Sequence, residues 1–351
     1  YLGYELAGEV EPALKLEPDT LMPLALAVRC PAAVIVDHRD DACYLVAEAS
    51  ATLAPQDVLA DIDACRNTVF AAGPNGGNAA SREEEPALFL EAVVRAKDYI
   101  ARGDVYQANL SRDWSVRVAD SVDADTIYDA LRAANPGPFA GLADWGSVNL
   151  ISSSPERLLR IRDGLVSTRP IAGTRPRSAD PAVDGDLLAE LIGHPKERAE
   201  HVMLIDLERN DLGRICEAGS VEVDEMMVLE SYAHVHHIVS NVRGRLRRDV
   251  TPGEAIRAVF PGGTITGCPK VRCMEIISEL EGGPRGAYTG SIGYLNRNGD
   301  MDLNILIRTI VKAGNQVTLR AGSGIVADSD PEAELAETRA KAKGLIQALS
   351  R

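Results

Sequence analysis

Apolar and polar positions along the chain follow two periods, and the switches between them mark the elements. Short apolar runs such as "AAVIVDH" and "CYLVAEA" read as strands, and a helix is predicted near "APQDVLADIDACRNTVF". Residues 71–86, "AAGPNGGNAASREEEP", break the pattern: small, Gly- and Asn-rich, then acidic and ending in Pro, they are the expected linker. "PALFLEAVVRAKDYIARGD" returns to the helical period, with Leu90, Val93, Val94 and Lys97 on one stripe and Gly103 as the expected stop. Strand-like runs then alternate with helices. "SVNLISSS", "LVSTRPIAG", "SVEVDEMMVLES", "VHHIVSNVRGRL", "GAYTGSIGYLN", "LNILIRTIV" and "QVTLRAGSGIVA" are predicted strands. Helices are predicted at about 123–134, 184–210, 252–260, 269–281 and 331–350. Several strands follow one another through short turns such as "NRNGD", which suits antiparallel pairing. The expected fold class is therefore mixed α+β rather than a regular βαβ alternation. No internal repeat or low-complexity tract interrupts it.

With 351 residues the chain can bury a large core. Its 45% hydrophobic and 25% charged residues are ordinary for a soluble globular protein. Charge narrows the partners: 37 Lys+Arg against 52 Asp+Glu leave a net −15. That field repels nucleic acid and anionic membrane, so neither is an expected partner. A small anion could bind only where local cations or a metal overcome the repulsion. Cys30, Cys43, Cys65, Cys216, Cys268 and Cys273 show no CxxC pair and no zinc-ligand spacing, which suits buried thiols in a reducing cytosol. No apolar run is long enough to span a bilayer. The chain opens at Tyr1 without Met, inside what reads as structure, so its natural start is expected upstream.

Two acidic steps stand out. "HPKERAEHVMLID" puts Glu197 and Glu200 one helical turn apart, and "EAELAETRAK" does the same with Glu334 and Glu337. They are either two solvated helix faces or two halves of a divalent-cation site. "FPGGTITGCPKVRCMEIISEL" is a Gly-rich turn feeding a helix, whose free N–H groups favour anions. It lacks the Gly-Lys-Ser/Thr ending of a phosphate loop, because Val271 follows Lys270. "HVHHIVS" puts His234 and His236 on one strand face and His237 on the other, with no zinc-like partner spacing nearby. "GSIGYLNRNGDMDLNILIRT" reads as a hairpin whose second strand carries Arg308 between apolar neighbours. A partly buried Arg needs an anion, either an internal carboxylate or a ligand's. "SSSPERLL" sets Glu156 just beyond a Ser-rich strand end.

Together these stretches form a known pattern. Residues ~89 to 350 resemble, nearly end to end, the chorismate-utilising enzymes, most closely component I of aminodeoxychorismate synthase and of anthranilate synthase. The matching stretches, in order, include "GDVYQANLSR", "SSSPERLL", "TRPIAGTRPR", "ERAEHVMLIDLERNDLGRI", "GSVEV", "HHIVS", "FPGGTITGCPKVRCMEIISELE", "GSIGYL", "GDMDLNILIRT" and "GSGIVADSDPEAELAETRAKA". The resemblance implies one large body: two mostly antiparallel sheets packed face to face, helices outside, and the site in a cleft of the C-terminal part. Residues 1–70 would complete that body, and 87–351 would carry the chorismate-binding catalytic part.

The same resemblance implies roles. Glu200 and Glu337 match Mg²⁺ ligands, and Glu197 and Glu334 match water-mediated or supporting positions. Glu156 matches the general acid that protonates the leaving C4 hydroxyl, and His237 a histidine beside the reacting ring edge. Arg308, Tyr294 and the backbone of Gly322, Ser323 and Gly324 match the enolpyruvyl carboxylate site. Lys341 matches a position near the metal and ring carboxylate, and Thr266 and Gly267 match the Gly-rich wall. Gln107 stands where water-using relatives carry a Lys that activates water. An amide cannot deprotonate water at neutral pH, so ammonia is the expected nucleophile and a glutamine amidotransferase the expected partner. Ala172 stands where many aminodeoxychorismate synthases carry a covalent Lys, and alanine can form no adduct.

Overall fold

The computed structural model describes residues 1–49, 51, 54–65, 81–232 and 235–350. The chain divides into two units, Leu26–Ala72, and Tyr1–Ala25 with Gly73–Arg351. In the first unit, strands β1 (Ala32–Asp37) and β2 (Ala42–Ala47) pair antiparallel, and a helix runs over Pro55–Cys65.

The larger unit opens with a short helix, α1 (Ala7–Val10). Numbering the Pro55–Cys65 helix α2, it continues through β3 (Ser81–Glu83), α3 (Pro86–Ala101), β4 (Gln107–Arg117), α4 (Ala124–Ala134), β5 (Phe139–Asp144) and β6 (Val148–Ser154). Then come β7 (Arg157–Arg162), β8 (Leu165–Arg169), β9 (Ile171–Pro176), α5 (Pro181–Gly193), α6 (Pro195–Gly213), β10 (Glu222–Ser231) and β11 (Val235–Arg245). The chain finishes with α7 (Pro252–Val259), β12 (Gly267–Cys268), α8 (Lys270–Glu281), β13 (Gly293–Leu295), β14 (Met301–Asn304), β15 (Thr309–Ala313), β16 (Gln316–Ile325) and α9 (Pro331–Leu349).

These strands build two seven-stranded sheets among the described residues. One runs β10-β11-β8-β7-β14-β13 with β9 also on β11; the other runs β12-β4-β16-β15-β6-β5 with β3 on β4. Every pairing is antiparallel, as the short turns predict. Side chains alternate across a strand. On β4, Leu110, Trp114 and Val116 pack against α3, α4, α8 and α9, as do Val317, Leu319 and Ile325 of β16. The alternate positions, Gln107, Asn109, Ser111, Thr318, Arg320 and the glycines Gly322 and Gly324, face the other way. This sheet therefore has an apolar face under helices and a polar, small-residue face toward the second sheet. The second sheet likewise buries Leu159, Ile161, Val166 and Val242 against α6 and α7.

Several predicted boundaries move, each for a local reason. The expected helix at 184–210 is two helices. Pro195 begins α6, and His194 before it is extended at φ −75°, ψ 110°, because a residue preceding proline is pushed out of the helical region. "LVSTRPIAG" splits into β8 and β9 at Pro170. Of "GAYTGSIGYLN" only Gly293–Leu295 is strand. "LNILIRTIV" is also interrupted: the chain leaves one sheet after Asn304 and enters the other at Thr309. Residues 71–80 of the expected linker lie outside the described residues, as does His234, while Ser81–Glu83 is a strand on β4. Of the six cysteines, Cys30, Cys43 and Cys65 are exposed rather than buried. No helix among the described residues is long and apolar enough to cross a membrane.

Candidate active site

Twice the chain steps from one sheet directly into the other. The first crossing, between β6 and β7, carries Glu156; the second, between β14 and β15, carries Arg308. The two crossings are bonded to each other. Ile305 N donates to Glu156 O at 3.0 Å, Ser153 N donates to Arg308 O at 3.1 Å, and Ser154 Oγ donates to Ile305 O at 2.5 Å. Arg308 adopts φ +54°, a conformation that non-glycine residues reach only when their surroundings hold them there. Crossing points lie between sheets by construction, so their side chains open into the space between the layers.

A cavity of ≈160 Å³ occupies that space, lined by Asn109, Glu156, Ile171, Thr174, His237, Thr264, Ile265, Tyr288, Arg308, Gly322 and Lys341 among others. Glu156, His237, Arg308, Gly322 and Lys341, far apart in sequence, thus share one wall system.

Glu156 is 5% exposed, and its Oε1 accepts no hydrogen bond. Burial is the main cause raising its pKa to about 7; the Thr264 hydroxyl, the Ile171 amide and the Lys341 cation pull the other way. A carboxyl that keeps its proton near neutrality can donate it. His237 sits opposite a bulge, where β11 meets β9 with Gly173 inserted at φ +72°. Its Nδ1 is 2.9 Å from Thr174 Oγ1 and 3.4 Å from the Gly173 carbonyl. A carbonyl only accepts, so the ring proton is assigned to Nδ1. Burial first, and the Arg308 cation after it, lower the His237 pKa to about 4, so the ring is neutral at pH 7.

Two cations face the carboxyl. Arg308 NH1 donates to the Lys341 carbonyl at 2.9 Å, and Lys341 Nζ donates to the Gly322 carbonyl at 2.8 Å while pairing with Glu337 Oε1 at 2.6 Å. Glu337 also acts electrostatically on Arg308, so the last helix brings both a cation and a carboxylate to the cleft.

The remaining predicted residues divide. Gln107 is 7% exposed, with Nε2 against Gly324 and Oε1 buried without a partner. Gly267 takes φ +127°, where a Cβ would fall on the Gln107 carbonyl oxygen. Thr266 is fully buried but turns its hydroxyl to the Gly262 carbonyl at 2.9 Å, holding the turn; Thr264 and Ile265 form the wall instead. Ser323 is fully buried and, by alternation, faces away from Gly322 and Gly324. Ala172 lies on β9 opposite Ile238, between the wall residues Ile171 and Thr174. Tyr294 is a correction: it is 59% exposed on β13, outside the cavity, because that short strand lies at the sheet edge. Tyr288 lines the cavity in its place, with its hydroxyl beside Gly322. Its signal was the aromatic of "GAYTG", read as one more strand residue.

Glu197 and Glu200 lie on α6. Glu197 Oε1 pairs with Arg175 NH1 at 2.7 Å, and Oε2 is buried against Gly173 with no hydrogen-bond partner. Glu200 is half-buried, and Glu334 on α9 is buried. Among the described residues no group of three or more His, Cys, Asp or Glu is gathered to hold an ion. The donors are carboxylate oxygens, the type that Mg²⁺ takes one or two at a time while keeping waters and ligand oxygens. The orphaned Glu197 Oε2 fits such a use.

Comparison with known proteins agrees with this geometry. The family described as "chorismate binding enzyme" matches residues 1–347. The anthranilate synthase component I-like protein of Synechocystis sp. is 43% identical, across 99% of this chain and 72% of its own length. Aminodeoxychorismate synthase component 1 of Bacillus subtilis is 42% identical, across 99% and 76%. The crystal structure of anthranilate synthase component I from Streptococcus pneumoniae TIGR4 superposes with a TM-score of 0.85 at 33% identity, over 98% of this chain and 79% of that one. A buried acid and two cations gathered where the chain twice crosses between sheets, in a fold shared nearly end to end with these relatives, place the chain in the chorismate-binding enzyme family.

Proposed function

We propose that this chain, with Mg²⁺, replaces the C4 hydroxyl of chorismate with an amino group, giving 4-amino-4-deoxychorismate for folate synthesis, and takes ammonia from a glutamine amidotransferase. The observation that carries this reading is the pairing of the sheet crossings. It brings Glu156, whose burial keeps its proton up to near neutrality, into one cavity with Arg308 and Lys341, which supports an acid for the leaving hydroxyl beside cations for the substrate's carboxylates. Bound between Glu200 and Glu337, with Glu197 and Glu334 in support, Mg²⁺ would draw electron density from the ring carboxylate. Arg308, a planar donor held by the Lys341 carbonyl, would orient a carboxylate. The neutral His237 would contact the ring edge without adding charge.

Gln107 supports ammonia over water. Its amide has no basicity to activate water, an activation that ammonia, already nucleophilic, does not need.

A second reading is formation of anthranilate and pyruvate. Ala172 favours it, since no covalent lysine is present, and the relatives' names are divided between the two activities. Incubation with chorismate, MgCl₂ and an ammonium salt, followed by mass analysis, separates them. The expected product is aminodeoxychorismate. Anthranilate with pyruvate would establish the second reading, and isochorismate or salicylate would sink the assignment of Gln107.

A further inference from the structure

Beside the cavity stands a cation to which the proposed reaction gives no task. Arg175 follows the wall residue Thr174 on β9, and its side chain is largely buried. The guanidinium reaches three elements at once. Nε and NH2 meet Glu190 Oε1 of α5 at 3.1 and 3.0 Å. NH1 pairs with Glu197 Oε1 of α6 at 2.7 Å and donates to the Thr174 carbonyl of its own strand at 3.0 Å. The two carboxylates are unlike: the Glu190 side chain is 57% exposed and that of Glu197 16%, so the pair with Glu197 is the less screened.

That pair sets the direction of Glu197. With Oε1 engaged by Arg175, Oε2 is left buried and without a hydrogen-bond partner. It lies 2.3 Å from where a Cβ at Gly173 would stand, so the missing side chain at 173 is what lets the carboxylate close on β9. A carboxylate oxygen kept from water without a partner is costly unless positive charge comes to it. Gly173, Thr174 and Arg175 are consecutive, and the bulge at Gly173 puts all three to use. The Gly173 carbonyl and the Thr174 hydroxyl lie 3.4 and 2.9 Å from His237 Nδ1, and Arg175 holds Glu197. One three-residue stretch thus secures both the histidine and the acidic helix.

We propose that Arg175 is a positioning residue for the metal site: its grip on one oxygen of Glu197 keeps the other free for the ion, and so sets the affinity for Mg²⁺. The inference rests on the Mg²⁺-dependent function proposed above. Groups that hydrogen-bond a metal-supporting side chain fix its orientation, and losing one weakens metal binding by about 10- to 100-fold. Two effects of Arg175 oppose each other and differ in sign. As a charge it repels a divalent cation, so its removal would tighten binding. As a donor it holds Glu197 in one rotamer, so its removal would loosen binding. The short contact, the burial of Glu197 and its single free oxygen make the second effect the larger.

The test is Mg²⁺ affinity in Arg175→Gln and Arg175→Lys. It is read by calorimetric titration of MgCl₂ into the protein without substrate and, independently, by loss of the free Mn²⁺ signal in electron paramagnetic resonance. Arg175→Gln should weaken binding about tenfold or more, and Arg175→Lys, which keeps the charge but not the planar fork, by less. Glu190→Gln removes only the exposed partner and should change the affinity little. In turnover of chorismate with an ammonium salt, the loss should appear as a higher Mg²⁺ concentration for half-maximal rate, with kcat regained at saturation. Unchanged or tighter binding in a folded Arg175→Gln protein would overturn the proposal, as would an equal loss in Glu190→Gln. If Arg175→Gln does not fold, Arg175→Lys decides: weakened binding supports the role, and unchanged binding overturns it. The two readings fail separately. Arg175-dependent Mg²⁺ binding in a chain that leaves chorismate untouched would defeat the amination and keep the positioning role. Turnover of chorismate with unaltered Mg²⁺ affinity in Arg175→Gln would do the reverse.

Discussion

Glu156 holds its proton because the fold removes it from water, and the same fact sets a cost in stability. An ordinary glutamate titrates near 4.5, and this one near 7. As pH rises from about 4.5 the unfolded chain releases the proton while the folded one keeps it, so folded stability declines across that window. Glutamine at 156 does not ionise in either state. Glu156→Gln should therefore lower kcat by about 10²–10⁴-fold, with little change in KM. Its stability relative to the unaltered protein should rise with pH. Urea midpoints of the two proteins at pH 5 and pH 8.5 check this, and parallel values at both pH would refute the burial argument. At the same scale, Glu156, His237, Arg308 and Lys341 each stand in a distinctive string of the sequence, and the fold brings all four to one cavity. Sequence reasoning chose Tyr294 over Tyr288 because alternation along a strand was the available guide, and Tyr288 lies where no strand forms. Glu208 gave no signal at all: on a helix with acidic neighbours it reads as solvated, yet it packs beside Gly263 and is buried.

Among the elements, turns and crossings carry more of the site than strands do. Gly267 takes φ +127° in β12, which pairs with β4 at Ala108 and Gln107. A Cβ there meets backbone and the Cys273 sulfur rather than a movable chain end. Gly267→Ala should cost more than ~1 kcal/mol, seen as a lowered urea midpoint, and should displace Gln107. Gly314→Asn, at φ +57° with open space for a Cβ, is the control and should be nearly neutral. Helices were legible to within a few residues where proline or a cap marks them. Thr251 and Glu254 form a capping box at α7, and Asp330 caps α9 by accepting from Ala333 N at 2.9 Å. The crossing at Arg308 was not legible, since "LNILIRTIV" has the composition of one continuous strand.

For the molecule as a whole, a net −15 must be overcome wherever an anion binds. Arg308, Lys341 and Arg320 line one cavity, and the proposed Mg²⁺ would add to them. Chelation by EDTA should abolish turnover of chorismate, and Mg²⁺ should restore it where Zn²⁺ does not, because the donors are hard oxygens. The same assay should run on ammonium salts, rising with pH as NH₃ forms until Glu156 loses its proton, and should accept glutamine only when an amidotransferase is added. Turnover with glutamine by this chain alone would refute the need for a partner.

Local chemistry is what the amino-acid order determined unaided. Period and punctuation defined the helices and antiparallel strands, the −15 charge argued against nucleic acid and anionic membrane, and ordered motifs pointed to the family. These are properties of neighbours in the chain, and neighbours in the chain are what a sequence records. Tertiary structure alone decided that two extended segments leave one sheet for the other side by side, that Tyr288 rather than Tyr294 faces the cavity, and that Glu156 and Glu208 are both dry. Each of those depends on which distant groups exclude water from a side chain, and desolvation is a property of the packed assembly of elements, not of any one of them.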